Sequence, residues 1–456
     1  MHGSYGDIES LLPDTATWEA DGCLSLAGRS VAGLAEAFGT PLYVYDVATI
    51  RGCCAAYRAG CAGYPGEAQL VYAAKAFAAV GLLRLLAAEG LGVDCVSGGE
   101  LFLAWCAGVP PECLVFHGNN KSEEELALAL RLGVGRIVVD SLDELELLAR
   151  LVTDPSEPVR VLLRLNPGVE PHDTHAYRRT GQLDSKFGLP IATGDAARAV
   201  ARCLELWPAI ALLGYHIHIG SQIFDLAPYR SAIERAYDFA AEMARIHGAI
   251  PQEFSPGGGF GVAYTVEDRP VEVAAAAATV AGWVADAARA RGLPLPRLVL
   301  EPGRSLVARA GVAVYRVGTV KRIPGVRTYV AVDGGMADNI RLALYGARYQ
   351  VVPACWSDRP PERVRLVGKY CESGDVLIDE AELPSPQRGD LLVIPVAGAY
   401  CLAMASNYNA ALRPTVVAVE DGDVMVWQRR ERLDDLLARE VSGCFSGRDV
   451  EFRRFS

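Results

Sequence analysis

Eight short strand-like runs, each with a polar residue at or just past its carboxyl end, recur through the first two thirds of this chain. They span residues 69–74, 92–96, 113–116, 136–139, 159–165, 213–219, 253–255 and 298–301. Ala-, Leu- and Glu-rich amphipathic stretches lie between them, including 79–89, 123–132, 142–152, 194–206, 229–247 and 271–291. Runs of that length read as buried strands, and the stretches between them as covering helices. An open doubly wound sheet gives a similar alternation. Polar residues recurring at strand ends all the way round favour a (β/α)8 TIM barrel instead.

After Pro302 the helices thin out, and β-rich runs take over at 312–321, 328–333, 350–352, 363–366, 390–395 and 415–427. This shift predicts a second, C-terminal all-β domain of sandwich- or barrel-like form, so the fold class is α/β with an added β domain. The expected organisation is an N-terminal segment 1–40 that packs on the β domain, a cofactor-binding barrel 41–305, and the β domain 306–456. Within the first segment a helix over 31–38 is stopped by Gly39.

A net charge of -11 with no compensating Lys/Arg tract argues against a nucleic-acid partner. No apolar stretch reaches spanning length before charge interrupts it, so no membrane partner is expected. Met1 to Asp7 lacks a basic segment followed by an apolar one, which points to the cytoplasm. The 12 cysteines are scattered without CxxC pairs. Neither a zinc site nor a disulfide framework is expected, and most should be small core hydrophobes.

The first run ends Val71-Tyr72-Ala73-Ala74-Lys75. At the mouth of a barrel, a lysine among apolar residues loses solvation for its ammonium, and its amine becomes a usable nucleophile. A lysine that snorkels to solvent is the plainer alternative. Asp94-Cys95-Val96-Ser97-Gly98-Gly99-Glu100 places two acids around a Gly-Gly turn, and His117 to Ser122 forms a dense polar cluster. Arg164, within an apolar strand, needs a partner, for which Glu100 or a cofactor oxygen would serve. In Tyr215-His216-Ile217-His218-Ile219-Gly220-Ser221 the two histidines share a strand face. No third metal ligand stands at a suitable spacing, so an aromatic platform plus a structural histidine is favoured over a metal site. Ser255-Pro256-Gly257-Gly258-Gly259 and Glu301-Pro302-Gly303-Arg304 follow the seventh and eighth runs, the loop pair where barrels bind phosphate. An amine, a phosphate cradle, a flat histidine, a carboxylate and an arginine together meet the needs of pyridoxal 5'-phosphate.

On these residues the chain resembles the diaminopimelate decarboxylase family, within the alanine-racemase-like, fold-type III class of pyridoxal phosphate enzymes. The likeness runs from about residue 40 to residue 415. It includes Tyr72-Ala73-Ala74-Lys75, Asp94 to Glu100, Thr180 to Gly188, His218 to Gln222, Gly257 to Gly259 and Glu301 to Arg304. The resemblance implies that Lys75 condenses with the cofactor aldehyde and that His218 stacks on the ring. Ser221, Gly257, Gly258, Gly259 and the backbone around Pro302 and Gly303 would bind the phosphate. Glu301 would pair with the pyridine nitrogen, and Asp94, Arg164, Arg304 and Tyr400 would join the cofactor-binding set. Arg304, Arg341, Tyr345, Glu372 and Tyr400 would bind the substrate, with Cys371 as proton donor. For Cys371 alone a core thiol is the plainer reading, but Glu372 and Asp375 beside it argue against a dry core.

The family's activity is decarboxylation of meso-2,6-diaminopimelate to L-lysine, the last step of bacterial lysine synthesis, in a homodimer with shared sites. The rival readings are a decarboxylase of ornithine, arginine or carboxynorspermidine, and a pyridoxal-binding homologue without catalysis. One departure is Asn339-Ile340-Arg341-Leu342-Ala343-Leu344-Tyr345, which lacks the prolines usual beside that arginine and so puts the rigidity of this loop in doubt.

Overall fold

The structure is a computed structural model that describes residues 8–169 and 181–440. Thr180 and the Met1 to Asp7 start, both used above, lie outside the described residues. The described residues of Met1–Ile50, Ala263–Asp268 and Val307–Ser456 form one compact unit, and those of Arg51–Val262 and Arg269–Leu306 form another.

The second of these is the barrel. Strands β1 (Ala68–Ala73), β2 (Gly92–Cys95), β3 (Leu114–Phe116), β4 (Arg136–Val139), β5 (Val159–Asn166), β6 (Ile210–His216), β7 (Glu253–Gly257) and β8 (Arg297–Leu300) pair in parallel, each with the next. The ring closes where β8 meets β1, with Leu298 opposite Ala68 and Leu300 opposite Leu70. A two-residue strand, Leu189–Pro190, extends β5 at Leu165 and Asn166.

Helices α1 (Val80–Ala88), α2 (Gly98–Cys106), α3 (Glu123–Leu132), α4 (Leu142–Leu151), α5 (Asp195–Glu205), α6 (Ala227–His247) and α7 (Val273–Ala290) follow the strands. Three of them start on the same device, a serine three residues ahead of a glutamate. Ser97, Ser122 and Ser141 each accept the backbone N–H of Glu100, Glu125 and Glu144, which satisfies an otherwise orphaned donor and is worth about 1 kcal/mol. Each glutamate then reaches back, to the N–H of Val96, Ser122 and Asp140 respectively. The short turns after β2, β3 and β4 are thereby fixed. The Gly-Gly pair expected to form a tight turn instead opens α2, because Ser97 caps it.

Inside the ring, Val71, Val115, Val138, Leu162 and Val299 pack as an apolar plug with Leu213 against it. Burying each such side chain contributes roughly 1.5–3 kcal/mol. One step below the plug, Arg136 and Arg297 meet the buried Glu253 carboxylate, with Arg136 Nη2 to Glu253 Oε1 at 2.7 Å and Arg297 Nη1 at 3.6 Å.

In the other unit, the main sheet runs Val376–Pro384, Pro361–Val367, Arg327–Val332, Gly311–Ile323, Leu42–Asp46, Thr415–Glu420, Asp423–Gln428. The 13-residue strand Gly311–Ile323 is its spine: one half pairs with Leu42–Asp46 and Leu391–Ile394, the other with Arg327–Val332. Residues 41–46 were expected to begin the barrel. They lie in mid-sheet here, because a fully buried strand with neighbours on both sides reads in sequence like a barrel strand. Strand Val376–Pro384 went unread because its charged, exposed middle belongs to a sheet edge.

A second correction concerns the cysteines. Cys23 and Cys355 form a disulfide across an isolated antiparallel bridge, their Cα atoms 3.9 Å apart and 332 positions apart in sequence. No spacing rule reaches so far. Among the described free cysteines, Cys54, Cys61, Cys95, Cys203 and Cys401 are buried as core residues.

Candidate active site

Side chains alternate along a strand, so the inward face that carries the plug continues two residues on. Val115 is followed by His117, Val138 by Asp140, Leu162 by Arg164 and Val299 by Glu301, and all four polar residues are buried. On β1 the same face passes from Val71 through Ala73 to Lys75, which sits on a single turn, Ala74–Ala76, just after the strand. Lys75 is half-buried, and its charge is felt by Asp94, Glu100 and His218. The carboxyl ends of the strands thus form a polar layer directly above an apolar one.

Glu301 is its centre. His216 Nε2 lies 3.0 Å from Glu301 Oε2, Ser255 Oγ donates to Oε1 at 2.9 Å, and His117 Nε2 is 3.5 Å from Oε1. Burial alone would raise this carboxyl, but the facing His216 and His117 rings outweigh it and hold it well below the usual range. Burial pushes His216 down to about 4, so near neutral pH a neutral imidazole donates its Nε2 hydrogen to a carboxylate. His117 packs edge-on against His216, ring centroids 4.9 Å apart, and its Nε2 also lies 3.8 Å from Asp94 Oδ1. Burial raises the Asp94 carboxyl against the opposing His117 and Lys75 charges.

His117, His216 and Glu301 bring one potential ligand atom each within 4.8 Å of one another. The sequence showed two histidines without a third ligand; folding brings in two partners from β3 and β8, which spacing along the chain does not reveal. Arg164 is a further correction. In place of Glu100 it meets Asp140: Nη1 lies 3.6 Å from Asp140 Oδ2, and the guanidinium sits 4.5 Å from the Phe187 ring centroid. Asp140 was missed, although its position two residues past Val138 marks it. Lys121, in the polar cluster after β3, is a buried support: its ammonium donates to Gly118 and Val138 carbonyls at 2.8 and 2.7 Å and to Glu144 Oε1 at 2.6 Å.

The three consecutive glycines have no room for a side chain. A Cβ on Gly257 would sit 2.8 Å from His218 Nδ1, on Gly258 2.0 Å from the Glu301 carbonyl oxygen, and on Gly259 2.1 Å from the Gly220 carbonyl oxygen. The loop therefore threads between the turns after β6 and β8, and Tyr229 pins it by donating to the Gly258 carbonyl at 2.5 Å. Gly303 closes on β1, its Cβ position 3.0 Å from Ala73 Cβ, while Ala73 N–H donates to the Pro302 carbonyl at 3.1 Å. Arg304 is buried and donates through Nη2 to Ser221 Oγ at 3.0 Å, so two residues of the expected set meet. His218 is half-buried at the same end, its imidazole pushed well below its ordinary range by burial and by the Lys75 charge.

In the other unit, Asp375 organises the Cys371 segment. Its carboxylate accepts the N–H of Met336 at 2.6 Å and of Tyr370 at 2.8 Å, joining the Asp333-Gly334-Gly335-Met336 turn to that segment. Cys371 is exposed, not a core thiol, and lines a groove of about 530 Å³ with Lys369, Asn409, Arg413 and Arg430. Glu372 is exposed and accepts the Gly374 N–H at 3.2 Å. Arg341 is fully buried: it donates to Tyr349 Oη and lies 4.6 Å from the Tyr264 ring centroid. Four residues on, Tyr345 is half-buried, and the stretch Arg341–Tyr345 is a one-turn helix. Tyr400 holds a left-handed backbone, φ 61°.

Residues 49–308 match the family model described as the pyridoxal-dependent decarboxylase, pyridoxal binding domain. The chain is 44% identical to the diaminopimelate decarboxylase of Bacillus subtilis over 94% of its own length and 98% of the relative's. With that of Actinosynnema pretiosum it shares 45% identity, over 92% and 93% of the two chains. The crystal structure of diaminopimelate decarboxylase from M. jannaschii in complex with L-lysine superposes with a TM-score of 0.88 at 34% identity, covering 94% of this chain and 98% of that one. Similarity this deep, running through both the barrel and the β unit, means that the chain belongs to the pyridoxal-dependent decarboxylases and, among them, to the diaminopimelate decarboxylase family.

Proposed function

We propose that this chain removes CO2 from the D-configured centre of meso-2,6-diaminopimelate to give L-lysine, with pyridoxal phosphate as cofactor. The observation that carries the reading is one barrel mouth that carries both Lys75 and a buried carboxylate, Glu301, gripped on its two oxygens by Ser255 and His216. The residues present fit the cofactor. Buried Asp94 Oδ1 and His117 Nε2 have no hydrogen-bond partner among the described residues, and consecutive glycines let backbone N–H groups close on phosphate oxygens.

When bound, pyridoxal phosphate supplies an electron-withdrawing ring that takes up the pair left as the bond to the departing carboxyl breaks. Lys75 supplies the amine for its aldehyde. Gly257, Gly258, Gly259 and Gly303, with Ser221, hold the phosphate, and His218 covers a ring face. Glu301 keeps a proton on the ring nitrogen. Asp94, Arg164 and Tyr400 complete the cofactor contacts, and Arg304 takes a substrate carboxylate. Arg341, Tyr345 and Glu372 select a far end that carries both an amine and an acid; a diamine precursor wants an acid where the arginine stands. Cys371 returns a proton to the carbon. The working form is a cytoplasmic homodimer with shared sites.

Purified protein supplied with pyridoxal phosphate should release CO2 and L-lysine from meso-diaminopimelate. Silence on that substrate, with turnover of ornithine or arginine, reassigns it.

A further inference from the structure

We propose that His216 and Ser255 are positioning residues that lock Glu301 as an oriented, acceptor-only carboxylate for the cofactor's ring nitrogen, with His117 as their lateral support. This deepens the functional reading above and rests on it.

The arrangement is built into the barrel. His216 and Ser255 are register partners on β6 and β7, and Glu301 stands one residue past the end of β8, so three successive strand ends converge. Ser255 Oγ accepts the Gly257 N–H at 3.1 Å, which leaves its only hydrogen for Glu301 Oε1 at 2.9 Å. His216 Nε2 meets the other oxygen at 3.0 Å. With one donor on each oxygen the carboxylate has a fixed plane, and a proton placed on either oxygen would face a donor. His117 backs the pair edge-on. Asp94, Arg164 and His218 are further charged or titratable groups that bear on Glu301, and Lys75 bears on Asp94 and His218.

The two donors act on Glu301, not on the reacting atoms, so their removal should change how the cofactor is held and when Glu301 protonates. His216→Phe keeps a planar aromatic ring, somewhat larger than the imidazole, and deletes the N–H. In the holoenzyme it should weaken pyridoxal phosphate binding on the order of ten- to a hundredfold, the loss of a hydrogen bond to a buried charge. Losing a donor raises the Glu301 pKa. The acid limb of the kcat/KM profile should therefore move to higher pH, and the visible band of the bound cofactor should titrate along with it. H216Q retains an N–H and should recover most of the affinity and the profile. S255A should shift both in the same direction as H216F, and it carries the test if the phenylalanine variant fails to fold.

Wild-type affinity and an unmoved acid limb in H216F, or in S255A where H216F does not fold, overturn the proposal. A glutamine variant as impaired as the phenylalanine one overturns it too, since shape and not the hydrogen bond would then matter. If the wild type itself binds no pyridoxal phosphate, the functional reading falls and takes this inference with it; a competent wild type with indifferent variants removes the inference alone.

Discussion

Replacing Gly258 by alanine puts a number on how tightly the triple-glycine loop and the turn that carries Glu301 are coupled. The new Cβ would lie 2.0 Å from the Glu301 carbonyl oxygen and 2.8 Å from its carbonyl carbon, both backbone atoms. Even close C–H···O contacts sit at about 3.3 Å, so one of the two loops must retreat by more than about 1 Å. Glu301 N–H donates to the Gly257 carbonyl at 3.0 Å, so the displacement drags the carboxylate with it. Overpacking of this kind costs about 1–3 kcal/mol of stability, and a misplacement of about 1 Å at a reacting centre costs roughly a hundredfold in rate. Gly258→Ala should thus fold with lowered thermal stability, bind pyridoxal phosphate weakly in an absorbance titration, and lose roughly two orders of magnitude in kcat/KM. Gly282→Ala is the control. It lies exposed in α7 with nothing within 4 Å of its Cβ position, and should gain about 0.5–1 kcal/mol. Wild-type cofactor affinity and turnover in Gly258→Ala would refute the coupling.

Lys75→Ala should abolish the visible absorbance of covalently held cofactor; a persistent band would show that another amine serves. Cys371→Ala should leave that absorbance intact while turnover collapses, and near-normal turnover would remove its donor role. Glu100, raised by burial to about 7 from an ordinary 4.5 although it accepts the Val96 N–H, binds more proton in the folded than in the unfolded state between those values. Relative to Glu100→Gln, the wild type should therefore lose stability as pH rises from about 4.5 to about 7 and level off above, as followed by thermal denaturation; a difference flat across that window would contradict the assignment.

What the sequence revealed and what it hid divide along one physical line. Properties carried by consecutive residues were legible: helix Glu123–Leu132 was read to the residue from its Ala-, Leu- and Glu-rich amphipathic pattern, and Lys75 from its place at a strand end. Properties created by closure were not. His117 and Glu301 are neighbours only because β3 and β8 belong to one ring, and Cys23 meets Cys355 only because a bridge joins positions 332 apart. The domain bound at residue 41 missed for the same reason: a strand buried on both faces, as Leu42–Asp46 is, carries no mark of the sheet it joins. Yet part of the hidden site had a local signature that went unused. Once Val115, Val138, Leu162 and Val299 are seen as one inward layer, the period of two leads directly to His117, Asp140, Arg164 and Glu301. Asp140, unread at first, shows that a barrel's polar layer follows from its apolar one: the strand direction that seals the plug also aims the polar groups above it.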